Sequence, residues 1–528
     1  MADGRTAGRA DGKARLLMLA LLLSACPPIR LSAQCPSGTP PPCGARAARV
    51  AAPAPTSVAV LSFDNRSRDT SDAFLAEGLA DEISTRLGQI GRLWVISRSQ
   101  VRRLRGADSL PIPAIGRALN TANLVQGSVQ GTPTHLRVSV ELLRASNATQ
   151  VWSHVYDRGR GDLLEIQGDI ATEVAQQITG TLRPGDRATL TRRPTGNPEA
   201  YEHILRGDVL GASRNRVQIA AALHEYQTAV TLDPLSARAQ ASIAKGSTLC
   251  REYGCMPDVP NDTLVARAVA AADAALRLDS ATASAWLASA YANYMRPRGV
   301  AALRAARHAV ELDSTDAEAW HFLGWLNLLA GDDATAVLAY RRALRIDPSR
   351  AVDYEHLARI NVIGRHYAEA RAQLDTSLER EPGYALGYYM RATLRAWMGD
   401  TAGARADAEQ LALVTPGANP RDAVDLFRAL ALVRAGDTTA ARAIVDRLDP
   451  ASLTSPVGFG GGRDVLGYTL LALGRVEEGL RLLLGPEVGF ASRHFVAAWS
   501  RLPYWEGARG SPTLQRAIAE SGATWRER

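Results

Sequence analysis

Phe74, Leu75, Leu79, Ile83 and Leu87 fall on one face of a helix drawn over Asp72–Ile90, as an amphipathic helix packed on a core requires. Around it the pattern changes to short apolar runs with β character. Ser57–Phe63 (SVAVLSF) and Leu93–Ser97 predict two buried strands, and Ile112–Leu119 a second helix. Asn123–Gln130, His135–Leu143 and Gln150–Tyr156 predict three more strands, joined by turns at Gly131-Thr132-Pro133 and Ala145-Ser146-Asn147. Leu163–Leu182 closes the series as a helix. The order βαβαβββα predicts a small α/β sheet with helices packed against it, over residues 57–183.

Beyond this unit the pattern becomes helical throughout and repeats. Asp279, Asp313, Asp347 and Glu381 are spaced by one constant step, and Pro348, Pro382, Pro416 and Pro450 keep the same step. A fixed period of about 34 residues predicts a stacked array of helical pairs. The fullest copy begins at Ala317, with Trp320, Leu323 and Gly324 in a first helix, Ala336, Tyr340 and Ala343 in a second, and Pro348 at its end. Gly324 and its counterparts Ala290, Ala358 and Ala392 are small where two helices of a pair would cross. Gly331-Asp332, Gly364-Arg365 and Gly399-Asp400 supply the turns, glycine being free to take the left-handed conformation that ends a helix. One pair cannot bury its apolar face alone, so each copy depends on its neighbours.

The array resembles the tetratricopeptide repeat (TPR), whose W-x-x-L-G…A…F/Y…A…P signature the copy at Ala317 carries. Residues 57–183 resemble the TolB amino-terminal-like (FlgO-like) domain in SVAVLSFDN, FLAEGLADEI, LWVISRS, IGRALN, LVQGSV and QVWSHVYDR. Ser62 stands where relatives usually carry proline. The resemblances imply a multidomain chain, a small α/β domain followed by an all-α TPR solenoid. Residues 184–198, with prolines and glycines, read as an exposed linker, 199–485 as the repeats and 486–528 as a capping segment. Cys255, Pro257 and Pro260 lie in an enlarged connection inside the second pair.

In the TPR family the first helices line a concave face. Projecting the helical period onto this chain turns Tyr291, Tyr294, His321, Trp325, Glu355, Arg359, Tyr389 and Trp397 toward it, along with Leu287 and Thr393. Aromatic side chains with polar tips are recognition anchors, so these are the candidate peptide-binding residues. Repeat-to-repeat packing is the competing role for Trp325 and Trp397. The Lys and Asn carboxylate clamp of some family members is absent from these turns.

Charge adds little. The chain of 528 residues has a net charge of +7. Seven basic against two acidic residues within 1–50 supply +5 of this, which gives no case for a nucleic-acid partner. Basic residues through Arg15, the apolar run Leu16–Leu23 and Ser24-Ala25-Cys26 have the form of a secretory leader over residues 1–34. Leu23-Ser24-Ala25-Cys26 resembles a lipobox, with Cys26 as the lipidated residue, although Pro27 departs from it. Cleavage near Ala33 or Gln34, or an uncleaved signal anchor, are the alternatives. All three imply export to a periplasmic or membrane-anchored place in the envelope. Residues 35–56, rich in Pro and Ala, read as a tether. Cys35 with Cys43 and Cys250 with Cys255 form two local pairs suited to disulfides.

Asp64, Asn65, Asp69, Asp72, Glu77, Asp81 and Glu82 crowd the first strand-to-helix connection, where open sheets often bind ligands. No histidine or cysteine joins them and no glycine-rich phosphate loop follows. Helix capping is the favoured role, and His135 and His154 read as surface or half-buried residues. The sequence therefore calls for no enzyme, no cofactor and no metal. It reads as an exported scaffold that binds a protein or peptide partner through the concave face, with a second contact by the α/β domain. A regulatory accessory subunit for a transcription factor, kinase or adenylate cyclase is the alternative.

Overall fold

The computed structural model describes residues 53–69, 72–104, 110–211, 216–256, 258–296, 298–415, 420–450, 453, 462–485 and 496–525. The expected leader, Cys26 and the Cys35–Cys43 pair lie outside these. The chain forms a small mixed sheet unit followed by an all-α solenoid of TPR-like helical hairpins.

The sheet unit contains β1 (Ser57–Val60), β2 (Asp64–Asn65), α1 (Ala73–Gly88), β3 (Trp94–Val95), α2 (Arg98–Arg102), α3 (Ile112–Leu119), β4 (Asn123–Gly131), β5 (His135–Arg144), β6 (Thr149–Gly159) and α4 (Leu163–Thr179). Strand order is β3-β1-β4-β5-β6. β1 runs parallel to both neighbours, and β4, β5 and β6 form an antiparallel meander. Alternate residues serve opposite faces. Val58, Val60 and Val125 meet α1 and α4, whereas Ala59 and Leu124 pack with Leu119 on the other side. The strand expected over 57–63 breaks after Val60 and resumes as β2. It stays aligned with β4 across the break, since Leu61 N–H donates to the Val125 carbonyl at 2.8 Å and Arg66 N–H to that of Val129 at 2.7 Å.

The acidic cluster on α1 does not cap that helix. Asp72, at the N-cap, makes no side-chain capping bond and instead pairs with Arg160 at 2.9 Å. Glu77 and Asp81 are held by Arg98 and Arg102 of α2, with Arg98 Nε 2.5 Å from Asp81 and Arg102 Nε 2.6 Å from Glu77. Charged partners outbid the backbone because charge-assisted bonds are about twice as strong as neutral ones.

Residues 184–198, expected to be an open linker, carry helix α5 (Pro184–Leu190). Pro184 fits the first turn, where its missing N–H costs nothing. Leu190 is fully buried in the sheet unit's core, and its carbonyl accepts a bond from Arg86.

Among the described residues the solenoid has eight hairpins: α6 (Pro198–Gly211) with α7 (Arg216–Leu232), α8 (Ala237–Tyr253) with α9 (Asn261–Leu278), α10 (Ala283–Met295) with α11 (Gly299–Leu312), α12 (Ala317–Ala330) with α13 (Asp333–Ile346), α14 (Ala351–Ile363) with α15 (Tyr367–Arg380), α16 (Ala385–Trp397) with α17 (Thr401–Val414), α18 (Pro420–Arg434) with α19 (Thr438–Val445), and α20 (Gly462–Ala472) with α21 (Val476–Leu484). α22 (Val496–Trp499), a 3-10 turn at Pro503–Ala508 and α23 (Pro512–Gly522) follow. A Cβ on Gly324 would lie 2.9 Å from the Tyr340 ring, so the small residue is what lets α12 and α13 approach.

The period has a local cause at each end of a hairpin. Asp233, Asp279, Asp313 and Asp347 each accept, through Oδ1, the backbone N–H two residues on, at 2.9–3.0 Å, which closes the turn to the next hairpin. At the turns inside hairpins, Gly331, Arg365 and Gly399 take positive φ of 86°, 63° and 80°. The repeat step thus puts the left-handed residue at Arg365 and not at Gly364, which stays right-handed with φ −74°. Glycine there sits one place too early.

Candidate functional site

A cavity of about 90 Å³ opens where six first helices converge. α8 contributes Glu252 and Tyr253, α10 Tyr291, α12 His321 and Trp325, α14 His356 and Arg359, α16 Tyr389 and Thr393, and α20 Asp464 and Tyr468. The remaining wall is Trp499, Leu502 and Tyr504, from the segment expected to cap the array. That segment instead runs back along earlier hairpins. Trp499 stands 5.7 Å from Trp325 between ring centroids, and Tyr504 lies 5.2 Å from Trp397 and 5.1 Å from Tyr468. Arg501 pairs with Asp333 and Glu506 with Arg365, and Ala523–Trp525 reaches α11. Aromatic area is the reason it turns back: Trp499, Tyr504 and Trp505 are too large to leave in water.

The floor of the cavity is a chain of paired groups crossing three hairpins. Tyr291 donates to Glu318 at 2.7 Å, and Arg350 joins Glu318 at 2.9 Å to Asp353 at 2.7 Å. Asp353 lies 2.5 Å from His321 Nδ1. Because an ionised carboxylate only accepts, that nitrogen carries the proton. Burial lowers the His321 pKa against the pull of Asp353, keeping the ring neutral at pH 7. The next copy repeats the arrangement differently. Burial would raise the Glu355 carboxyl, but Arg359 and His356 hold it down to about 2. Glu355 sits 2.6 Å from both. Arg359 also covers the face of Trp499, 4.7 Å from its centroid, and Trp325 stacks on His356 at 4.9 Å.

Asp464 differs from all of these. Its side chain has no ion pair or hydrogen bond among the described residues. Burial pushes its carboxyl up to about 7, only partly opposed by Arg359. The buried hydroxyl of Tyr504, in the same wall, likewise has no hydrogen-bond partner among the described residues.

Of the residues projected from the sequence, Tyr291, His321, Trp325, Arg359 and Tyr389 line this cavity together. Tyr294, Glu355 and Trp397 do not. Tyr294 is buried against Phe322, Glu355 is fully buried behind Arg359, and Trp397 is closed in by Tyr504 and by Arg434, 4.0 Å above its ring. In α14 His356, one position beyond the projected Glu355, lines the cavity with Arg359. Asp464, Tyr468 and Tyr504 escaped the projection because the eighth hairpin has lost the repeat signature and no period reaches the tail.

Elsewhere, Cys250 and Cys255 are joined as a disulfide, with Cα atoms 4.9 Å apart. It clasps the end of α8, where Gly254 takes a φ of 61°. His154 lies on β6 beside Tyr156, 4.5 Å between rings, and His135 sits exposed at the start of β5. Among the described residues no cluster of His, Cys, Asp and Glu is arranged to hold a metal, and no helix is long and apolar enough to cross a membrane.

No protein-family model matches the sequence. A putative adenylate cyclase 3 from Rhizobium meliloti (strain 1021) is 27% identical over 192 residues, 36% of this chain and 32% of that protein. The chain thus spans about a third of that relative's length. Among solved structures, the APC/C hetero-tetramer Cut9-Hcn1 aligns with 68% of this chain and 63% of its own at 11% identity and a TM-score of 0.41. Pseudomonas aeruginosa PilF aligns with 42% and 93% at 20% identity and a TM-score of 0.31. YrrB, described as a TPR protein with an unusual peptide-binding site, aligns with 39% and 95% at 17% identity and a TM-score of 0.27.

Proposed function

We propose that this chain is a non-enzymatic scaffold of the cell envelope, which holds a protein or peptide partner at the face formed by the first helices of its hairpins. The convergence of Tyr291, His321, Trp325, Arg359 and Tyr389 on one cavity carries this reading, since aromatic and arginine side chains in a shared concavity are where binding energy concentrates. The sheet unit, by its sequence resemblance a TolB-like module, would give a second contact. Affinity capture from envelope extracts tests the reading. A partner retained by the chain should be lost by Tyr389→Ala combined with Trp325→Ala while the circular dichroism spectrum persists. A partner held equally by both proteins would place its site elsewhere.

Attachment to a membrane through a lipid on Cys26 belongs to the same proposal. Cys26→Ser should then fail to incorporate radiolabelled fatty acid and should leave the detergent phase. A second reading, an accessory subunit of a nucleotide cyclase or other regulator, draws on the partial match to the putative adenylate cyclase. Fractionation separates the two, because a cytosolic product retaining Met1 favours regulation.

A further inference from the structure

We propose that the cavity is a binding site for an organic cation, an alkylammonium or quaternary ammonium group, held by the Asp464 carboxylate inside a cage of Trp325, Tyr389, Tyr468, Trp499 and Tyr504. The proposal rests on the reading of this cavity as a binding site and names the chemistry it accepts. Its volume of about 90 Å³ exceeds several-fold the roughly 10–15 Å³ that one water needs by this kind of measure, so it admits a small organic group.

The lining is rich in aromatic rings, whose negative quadrupole attracts a cation, most strongly where water is excluded. The charge balance points the same way. Arg359 is the cation already present, and it is answered by Glu355 at 2.6 Å and spread on the Trp499 face. Glu318, Arg350, Asp353 and His321 close among themselves in the floor. Asp464 has no ion pair among the described residues, feels the charge of Arg359, and lines the cavity with Tyr389 and Tyr468. Half-buried at the cavity wall, this carboxylate sits beside room for a cation of matching size. The Tyr504 hydroxyl, buried and without a partner, adds an acceptor for an ammonium N–H or for a hydroxyl on the same ligand.

The cationic group can belong to a free small molecule or to a lysine side chain of a partner. Both present the same chemistry, and the arms of one experiment tell them apart. Fluorescence of Trp325 and Trp499 in the purified full chain would be followed during titration with choline, with its neutral isostere 3,3-dimethylbutan-1-ol, and with Nα-acetyl-lysine amide. Choline is expected to give a saturable change with a Kd of about 1 mM or tighter, and the neutral isostere to bind at least tenfold more weakly, about 1.4 kcal/mol. Asp464→Asn should lower choline affinity by a similar factor.

Binding should strengthen as pH rises through about 7, where Asp464 ionises. The other titratable or charged groups lining the cavity are Arg359, Tyr253, Tyr291, Tyr389, Tyr468, Tyr504, His321, His356 and Glu252. Neutral His321 leaves the site uncharged on that side over this range. Capped lysine binding as well as choline assigns the site to a partner's side chain, and choline alone assigns it to a free ligand. Equal binding of choline and its neutral isostere, or no saturable change, overturns the proposal without any variant having to fold. These titrations need no protein partner, so their failure leaves the capture experiment unaffected, and the reverse holds too.

Discussion

Carboxylates are handled in opposite ways at the junction of the solenoid with the sheet unit and at the cavity. Where the solenoid meets the sheet unit, Glu82 accepts from Arg86 at 2.9 Å and from Arg238 at 2.7 Å, and Arg238 continues to Asp208 at 2.6 Å. Burial would raise the Glu82 carboxyl, yet Arg238 and Arg86 lower it. Around these pairs Tyr201 and Leu205 of α6 enter the sheet unit's own core, and Tyr201 donates to Gln167 of α4. At the cavity, Asp464 is half-buried and has no ion pair among the described residues. A closed network fixes one docking geometry, whereas an open one leaves a place for something else.

The largest effect is expected where the closed network is cut. Arg238→Ala leaves Glu82 with Arg86 alone and should cost about 1.5–3 kcal/mol, as losing a hydrogen bond to a charged group does, read as a lowered midpoint in urea. The continuous core also means that the sheet unit and the first hairpins should unfold in one transition. Limited proteolysis within 184–198 should not precede that transition, because Leu190 and its carbonyl are engaged. Early release of a fragment ending near Leu182 would show the junction to be looser than these contacts imply.

Gly324→Leu comes next. The Tyr340 ring, fully buried and 2.9 Å from where a Cβ would start, has nowhere to retreat, and overpacking of this kind costs about 1–3 kcal/mol. The variant should melt earlier, with the loss shared by neighbouring hairpins. An unchanged melt would place the helix crossing elsewhere.

These two sites also show what a sequence can and cannot announce. Gly324, the Asp ladder and the strand-helix order are legible because each answers a local rule: a close crossing, an Asx turn, an alternating face. The Arg98 and Arg102 clamps on Glu77 and Asp81 are not, because a capping role for those carboxylates satisfies the same local pattern. The cavity was legible in part. Tyr291, His321, Trp325, Arg359 and Tyr389 follow from the period, but the wall supplied by Asp464 and Tyr504 comes from contacts across more than a hundred residues of sequence, beyond any repeat.

A smaller effect should appear as a pH dependence. The folded Asp464 carboxyl, pushed up to about 7 by burial, lies above an ordinary value of about 4. The folded state therefore holds this proton longer, and the contribution to stability is full below the ordinary value and lost as pH rises toward about 7. Asp464→Asn should accordingly melt higher than the parent at pH 8, with the gap closing toward pH 4. Glu355 has the reverse sign. Held at about 2 by Arg359 and His356 against burial, it contributes above an ordinary value of about 4.3 and fails as pH falls toward about 2. An Asp464→Asn melt indistinguishable from the parent at pH 8 would mean that the carboxylate has found a partner after all.

The smallest effect belongs to Arg365, and it sharpens the comparison because it concerns the segment that walls the cavity. Gly331 and Gly399, one repeat step to either side, meet the left-handed turn with the residue suited to it, whereas Arg365 meets it with a side chain at φ 63°. A Cβ in that conformation crowds the following carbonyl, so Arg365→Gly should relieve strain. It also removes the ion pair to Glu506 of the returning segment, an exposed contact of the kind that contributes little. The net expectation is a slight rise in melting temperature with choline binding unchanged. A fall in melting temperature together with weaker binding would show that the Arg365–Glu506 pair, more than the burial of Trp499 and Tyr504, keeps the wall of the cavity in place.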